Sequence, residues 1–223
     1  MPQVNQKIGF IGAGNMGEAF IGAIIKSGLL PADRLYAADV DEKRLDMLCN
    51  AYGIRALPEN TVLFSACDIV VLAVKPQQMA PVLSGIAQHE NYRVPTRKLI
   101  ISIAAGITLN KIESILYAPL DEASIERLPI IRVMPNTPAL VLEAVAGMSP
   151  NRCVTPDDLA LARKLLEAIG TVVDFEEADL NAVTGLSGSG PAYVFFLAES
   201  MIEAGIEVGL KPAEEAVLTR CTL

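Results

Sequence analysis

The strongest pattern along the chain is a repeated switch between short apolar runs and longer amphipathic stretches. Apolar runs centred within 7–11, 35–38, 68–74, 99–103 and 130–134 predict strands, and shorter ones at 145–148 and 171–174 predict two more. Ile69-Val70-Val71-Leu72-Ala73-Val74 and Leu99-Ile100-Ile101-Ser102-Ile103 are almost uninterrupted, as expected of strands covered on both faces. Between the runs, apolar residues at helical intervals predict helices over 17–27, 41–51, 60–65, 77–88, 109–116 and 156–169. Thr155-Pro156-Asp157-Asp158 is a helix start with a hydroxyl cap, proline in the first turn and acids beside it. Alternation of this kind predicts an α/β fold built on a mostly parallel, doubly wound sheet.

The pattern changes near Glu176, after which no strand signal recurs. Ser189-Gly190-Pro191 predicts a long helix capped by Ser189 and running through Glu203. Phe195, Ala198, Met201 and Ile202 are spaced to cover one side of it, Gly205 and Gly209 punctuate its end, and Pro212 opens a last helix. The expected division is an α/β domain over 1–175 and the start of an all-helical domain over 176–223. No internal repeat or low-complexity tract is visible.

Composition narrows the function classes. Hydrophobic residues make up 52% of the chain and charged residues 20%, the balance of a folded globular protein. The net charge is −8, and the densest basic spot, Arg93, Arg97 and Lys98, is too short for a nucleic-acid surface. No run approaches the roughly eighteen apolar residues of a membrane span, and no targeting segment opens the sequence. Cys49, Cys67, Cys153 and Cys221 lack metal-ligand spacing, so a reduced, cytoplasmic protein without a metal is expected.

Candidate chemistry begins at Gly12-Ala13-Gly14-Asn15-Met16-Gly17, a G-x-G-x-x-G directly after the first strand and opening the first helix. Gly12 suits the tight turn, Gly14 the close approach of a pyrophosphate and Gly17 the helix–strand contact. A Rossmann-like domain that binds NADP or NAD through a helix N-terminus is the expectation. Asp39 falls 22 residues after Gly17, where an acid accepts hydrogen bonds from the adenosine ribose of NAD. Lys43 and Arg44 could instead meet the 2′-phosphate of NADP, and Asp39 with Asp41 could simply cap the next helix; spacing leaves these open. Val74, Lys75 and Pro76 leave the third strong strand at the edge where such folds bind ligands. Asn136 and Thr137, set between Pro135 and Pro138, form a stiff polar loop at the same edge, or a structural turn.

Five motifs carry a family resemblance: GFIGAGNMGEA at 9–19, LAVKPQ at 72–77, ISIAAGI at 101–107, RVMPNTPA at 132–139 and TGLSGSGPAYVFFLAESMIEAGIEVGL at 184–210. In order and spacing the chain resembles pyrroline-5-carboxylate reductases, which reduce a cyclic imine to make proline. The resemblance implies hydride transfer from NADPH or NADH to 1-pyrroline-5-carboxylate, and a helical domain that pairs in a homodimer or higher homo-oligomer. It places Gly12, Asn15 and Met16 in the nucleotide loop, Lys75 and Pro76 beside the nicotinamide, and Asn136 and Thr137 along the same cleft. Ser187 lies in the turn leading into the long helix. Lys75, Thr137 and Ser187 are thereby the candidates for orienting substrate. Two departures stand out: Asp39-Val40 replaces the Asn/Ser-Arg that often fits the 2′-phosphate, and the family continues for several dozen residues through a Ser-Pro-Gly-Gly segment that holds substrate. The expectation is therefore a piece that binds cofactor with an incomplete substrate site.

Reduction of a protonated imine asks for alignment and exclusion of water more than for a side-chain base. His89, the one histidine, sits at a helix end before Glu90 and reads as a C-terminal helix residue. The competing readings are a related imine or β-hydroxyacid reductase and a non-catalytic nucleotide-binding homologue. β-Hydroxyacid enzymes place a helix lysine opposite the cofactor, and the stretch 192–203 has none.

Overall fold

Residues 5–223 are described by a computed structural model. The apolar runs become strands whose successive side chains enter opposite layers: Ile8 and Phe10 face one core, Ile11 the other. In the same way Val71 joins the first layer while Val70 and Leu72 join the second, which is why these runs carry no polar alternation. The α/β part runs β1 (Ile8–Ile11), α1 (Asn15–Lys26), β2 (Leu35–Ala38), α2 (Glu42–Tyr52), β3 (Arg55–Ala56), α3 (Asn60–Ala66), β4 (Ile69–Leu72) and α4 (Pro76–Ala87). It continues through β5 (Leu99–Ser102), α5 (Leu109–Leu116), α6 (Glu122–Glu126), β6 (Ile130–Met134), β7 (Ala144–Pro150), α7 (Pro156–Leu166) and β8 (Gly170–Asp174).

One sheet orders these strands β3-β2-β1-β4-β5-β6-β7-β8. Every neighbouring pair is parallel except β6 and β7, which run antiparallel with Val133 opposite Met148. The expected mostly parallel, doubly wound sheet is thus present, with two additions. β3 consists of two exposed residues and gives no apolar signal, and α6 is a single short turn capped by Asp121. The order reverses between β1 and β4, so the crevice outside their carboxyl ends is the topological switch point.

The basic spot of the sequence does not form a patch. Arg97 is drawn into a pair with Asp158, while Lys98 is buried, its ammonium donating to the Cys67 carbonyl and lying 5.1 Å from the Phe64 ring centroid. Burial pushes the Cys67 thiol up to about 12, which keeps it an unreactive thiol.

After β8 come α8 (Leu180–Val183), a π-helical turn over Thr184–Gly188, α9 (Gly190–Glu207) and α10 (Pro212–Thr222). Two expectations are corrected here. Ser189 does not cap α9: its φ and ψ of −88° and −14° are helical, and its N–H reaches back to the Thr184 carbonyl at 2.8 Å. The helical path therefore arrives already wound, and the π turn accommodates Pro191, which has no N–H to give. Nor does Gly205 end the helix. It lies inside α9, where a Cβ would fall 2.2 Å from the Glu215 carboxyl carbon of α10. Gly205 is needed for helix–helix approach rather than termination. No residue of α9 is buried, and Phe195 stands 65% exposed.

Candidate functional site

The β1–α1 turn is fixed by sterics. Gly12 has φ of +96°, and a Cβ there would lie 2.8 Å from the Ala73 backbone. Its N–H donates to the Ala38 carbonyl at 2.9 Å, tying the turn to β2. Gly17 is equally constrained, since a Cβ would meet the Gly12 carbonyl oxygen at 2.7 Å. Gly14 differs: nothing lies within 4 Å of where its Cβ would be. It is the N-cap of α1, with Asn15 and Met16 in the first turn, and no side chain caps that terminus. A helix N-terminus with free backbone donors and open space in front suits an anionic diphosphate.

Beside this turn lies a cleft of about 600 Å³ lined by Gly14, Asp39, Arg44, Val74, Lys75 and Gln77. Past Asp39 and Val40 it meets a second hollow of about 670 Å³, bounded by Pro58 and Asn60 and by Val82 of α4. The open helix terminus and the long cleft fit a dinucleotide, while among the described residues no group of His, Cys, Asp or Glu could hold a metal.

Asp39 and Asp41 have separate roles. Asp41 caps α2 by accepting from the Arg44 N–H at 3.2 Å. Asp39 instead accepts from the Ala13 N–H at 2.6 Å and from the Asp41 N–H at 3.0 Å, so its carboxylate forms part of the turn's own framework. Arg44 completes that framework through a 2.7 Å bond from Nε to the Ala13 carbonyl and a pair with the Glu18 carboxylate. Glu18 also accepts from the Tyr52 hydroxyl at 3.1 Å; burial, then the adjoining carboxylate, raises the phenol above its ordinary pKa and keeps it a donor.

Lys75 is the N-cap of α4, extended and exposed at the carboxyl side of β4, with Pro76 as the first helical residue. Among the described residues no hydrogen bond or ion pair holds its side chain. Two strands away along the same edge, β6 leads into Asn136 and a 3-10 turn over Thr137–Val141. Asn136 accepts from the Val145 N–H at 2.9 Å and donates to the Ser187 hydroxyl at 3.3 Å. Thr137 is exposed beside it. Ser187 lies in the π turn, whose Gly188 leaves room for Met134, since a Cβ there would fall 2.5 Å from Met134 Cε. The Tyr193 hydroxyl closes the turn on the Gly185 carbonyl at 2.8 Å. The structure thus joins Asn136 to Ser187 directly, while Lys75 lines the cleft beside the glycine turn, whose walls do not include Asn136, Thr137 or Ser187. His89 lies just beyond α4, where its Nδ1 accepts from the Asn91 N–H at 3.2 Å.

Sequence reasoning missed the supports of this edge. Arg132, 2% exposed inside β6, pairs with Glu177 at 3.2 Å and donates to Asn181 at 3.4 Å. Glu177 also accepts from the Leu109 N–H at 2.6 Å, linking the start of α5, β6 and the approach to α8. The available signal was an arginine within an apolar strand, which needs a carboxylate partner if it is buried.

Comparison with known proteins agrees with this fold. A family model described as NADP oxidoreductase coenzyme F420-dependent matches residues 7–106, and one described as Pyrroline-5-carboxylate reductase dimerisation matches 177–223. The chain is 42% identical over 206 residues to a pyrroline-5-carboxylate reductase of Methanosarcina acetivorans, covering 92% of this chain and 72% of that protein. A solved pyrroline-5-carboxylate reductase from Coxiella burnetii superposes with a TM-score of 0.83 at 32% identity, covering 98% of this chain and 77% of that one. The Plasmodium falciparum pyrroline carboxylate reductase with NADP bound gives 0.81 at 30% identity, covering 99% and 77%. Likeness that spans both the glycine turn and the helices after the π turn, at this identity, settles the lineage: the chain belongs to the pyrroline-5-carboxylate reductase family.

Proposed function

We propose that the protein reduces the C=N bond of 1-pyrroline-5-carboxylate to give L-proline, with NAD(P)H as the reductant. One observation carries this reading: in a chain of this family, an open diphosphate-binding turn at the switch point shares its edge with the Asn136–Ser187 contact. When bound, the dihydronicotinamide supplies the hydride. The chain's own residues bind, orient and shield. Gly12, Gly14, Asn15, Met16 and Gly17 would receive the pyrophosphate, with Asp39 at the adenosine ribose. Val74, Lys75 and Pro76 would flank the nicotinamide side, with Asn136 opposite. The Lys75 ammonium suits the substrate carboxylate, and the Thr137 and Ser187 hydroxyls suit orientation of the imine ring. No side-chain base is required, because the protonated imine carbon is already electrophilic.

The exposed apolar length of α9, including Phe195 and Phe196, supports a homodimer in which a second copy covers that helix. The deciding experiment is the initial rate of NADH and NADPH oxidation on adding 1-pyrroline-5-carboxylate, with proline quantified. Oxidation matched by proline is the expected result. Nucleotide binding without proline formation, both in this chain and in a version extended through the remaining length of its relatives, would overturn the catalytic reading.

A further inference from the structure

Arg44 lines the cleft beside Asp39 and Asp41, where a 2′-phosphate would have to be met, yet its guanidinium is already engaged. Nε donates to the Ala13 carbonyl at 2.7 Å, a terminal nitrogen is paired with Glu18, and the other lies 3.6 Å from Met47 Sδ. Glu18 is itself held by the Tyr52 hydroxyl at 3.1 Å, so both ends of the pair are anchored on packed helices. With Arg44 matched by Glu18, the charges left beside it in the cleft wall are Asp39 and Asp41; Lys43, exposed one residue before Arg44, is not part of that wall, and Val40 between the two acids is 92% exposed. A phosphate dianion entering that corner meets carboxylates and no available guanidinium.

We propose that Glu18 is the specificity-determining positioning residue of the nucleotide site: by holding Arg44 against the glycine turn it makes the protein select NADH over NADPH. The inference rests on the dinucleotide reading given above. Glu18 touches neither cofactor nor substrate; it acts through Arg44. The arrangement has two separable parts. Nε on the Ala13 carbonyl braces the turn for either cofactor, whereas the terminal nitrogens are the edge that could grip a phosphate, and Glu18 occupies that edge.

Titration of nicotinamide fluorescence on this chain with NADH and with NADPH, at low ionic strength, gives the test without requiring turnover. The wild-type chain should bind NADH more tightly. Glu18→Gln keeps the side-chain volume and an acceptor for Tyr52 while removing the charge. It should tighten NADPH about tenfold, the scale of one charge-assisted pair, and leave NADH within about twofold. Glu18→Gln combined with Arg44→Leu should lose that gain, and added salt should shrink it. An unchanged NADPH/NADH ratio in Glu18→Gln, equal weakening of both nucleotides, or a gain that survives Arg44→Leu would each overturn the role of Glu18. Failure of the folded wild-type chain to bind either nucleotide would overturn the dinucleotide reading itself, and the selectivity role with it.

Discussion

Asn136 and Ser187 stand 51 residues apart in sequence, yet their side chains meet at 3.3 Å. The orientation of the amide follows from its other bond: the Val145 N–H can only donate, so Oδ1 faces Val145 and Nδ2 faces Ser187. One side chain therefore fixes the loop after β6 and the π turn before α9 against each other. Asn136→Ala should lower kcat/KM by about 10- to 100-fold through misplacement of Ser187, while costing only about 1–2 kcal/mol of stability. Ser187→Ala combined with it should add little further loss, because both remove the same contact. Fully additive losses in kcat/KM would show that the two residues act separately.

Gly12 and Gly14 lie two positions apart and should respond oppositely to the same substitution. Gly12→Ala places a Cβ 2.8 Å from the Ala73 backbone in a left-handed conformation, so a loss of at least about 2 kcal/mol is expected. Gly14→Ala meets nothing within 4 Å and has extended backbone, so thermal stability should hold or rise slightly. Its added methyl would stand where the pyrophosphate approaches, and nucleotide affinity should fall. Equal melting temperatures for the two variants would contradict this account of the turn.

Most of the scaffold was legible because burial on both faces leaves short, nearly continuous apolar runs set between longer helix-periodic stretches. The runs in β1, β4 and β5 alternate between two cores, and only parallel strands between helix layers have that need. The glycine turn was legible for a similar reason, each glycine answering a local steric demand. What stayed hidden depends on partners far away in sequence. β3 is two exposed residues recognisable only by pairing with β2, and the antiparallel turn from β6 to β7 has no periodicity of its own. Arg44 was within reach of a phosphate by spacing alone, and only packing of α1 against α2 reveals that Glu18 has it. Ser189-Gly190-Pro191 carries cap chemistry, but a helical path arriving from Leu180 overrides it. The link from Glu177 to Arg132 spans 45 residues and has no local signature.

Asp158 gives the fold a defined acid response. Burial by itself would raise its carboxyl, but two Arg97 Nε contacts at 3.0 and 3.1 Å and the Thr155 hydroxyl and N–H outweigh it, holding the group below the usual aspartate value. A depressed folded-state pKa contributes stability that is fully present above the unfolded value near 3.8 and lost as pH falls through the folded value. Asp158→Asn should therefore be less stable at pH 7 by about 1–3 kcal/mol, the lower end reflecting the partly exposed Arg97. The gap to the wild type should narrow only below pH 4, read as urea midpoints across a pH series. A gap that stays constant down to pH 2 would mean the carboxylate charge contributes nothing.

α9 leaves its apolar side chains uncovered within one copy of the chain. Phe195 and Phe196 are 65% and 71% exposed, and Tyr193, Val194 and Leu197 beside them are also exposed. Apolar surface this continuous is costly in water, and the proposed two-fold partner would remove it on both copies at once. Burial of one phenylalanine is worth about 1.5–3 kcal/mol, and an isologous contact counts each substitution twice. Phe196→Glu should therefore weaken dimer association at least about a hundredfold, since every 1.4 kcal/mol is a factor of ten. Sedimentation velocity across a concentration series would resolve the shift toward monomer, and circular dichroism would check that α9 stays helical, its backbone bonds being internal to the helix. Because nothing in α9 is buried within one copy, the substitution should leave nucleotide affinity unchanged. Association equal to the wild type would mean that the second copy docks elsewhere.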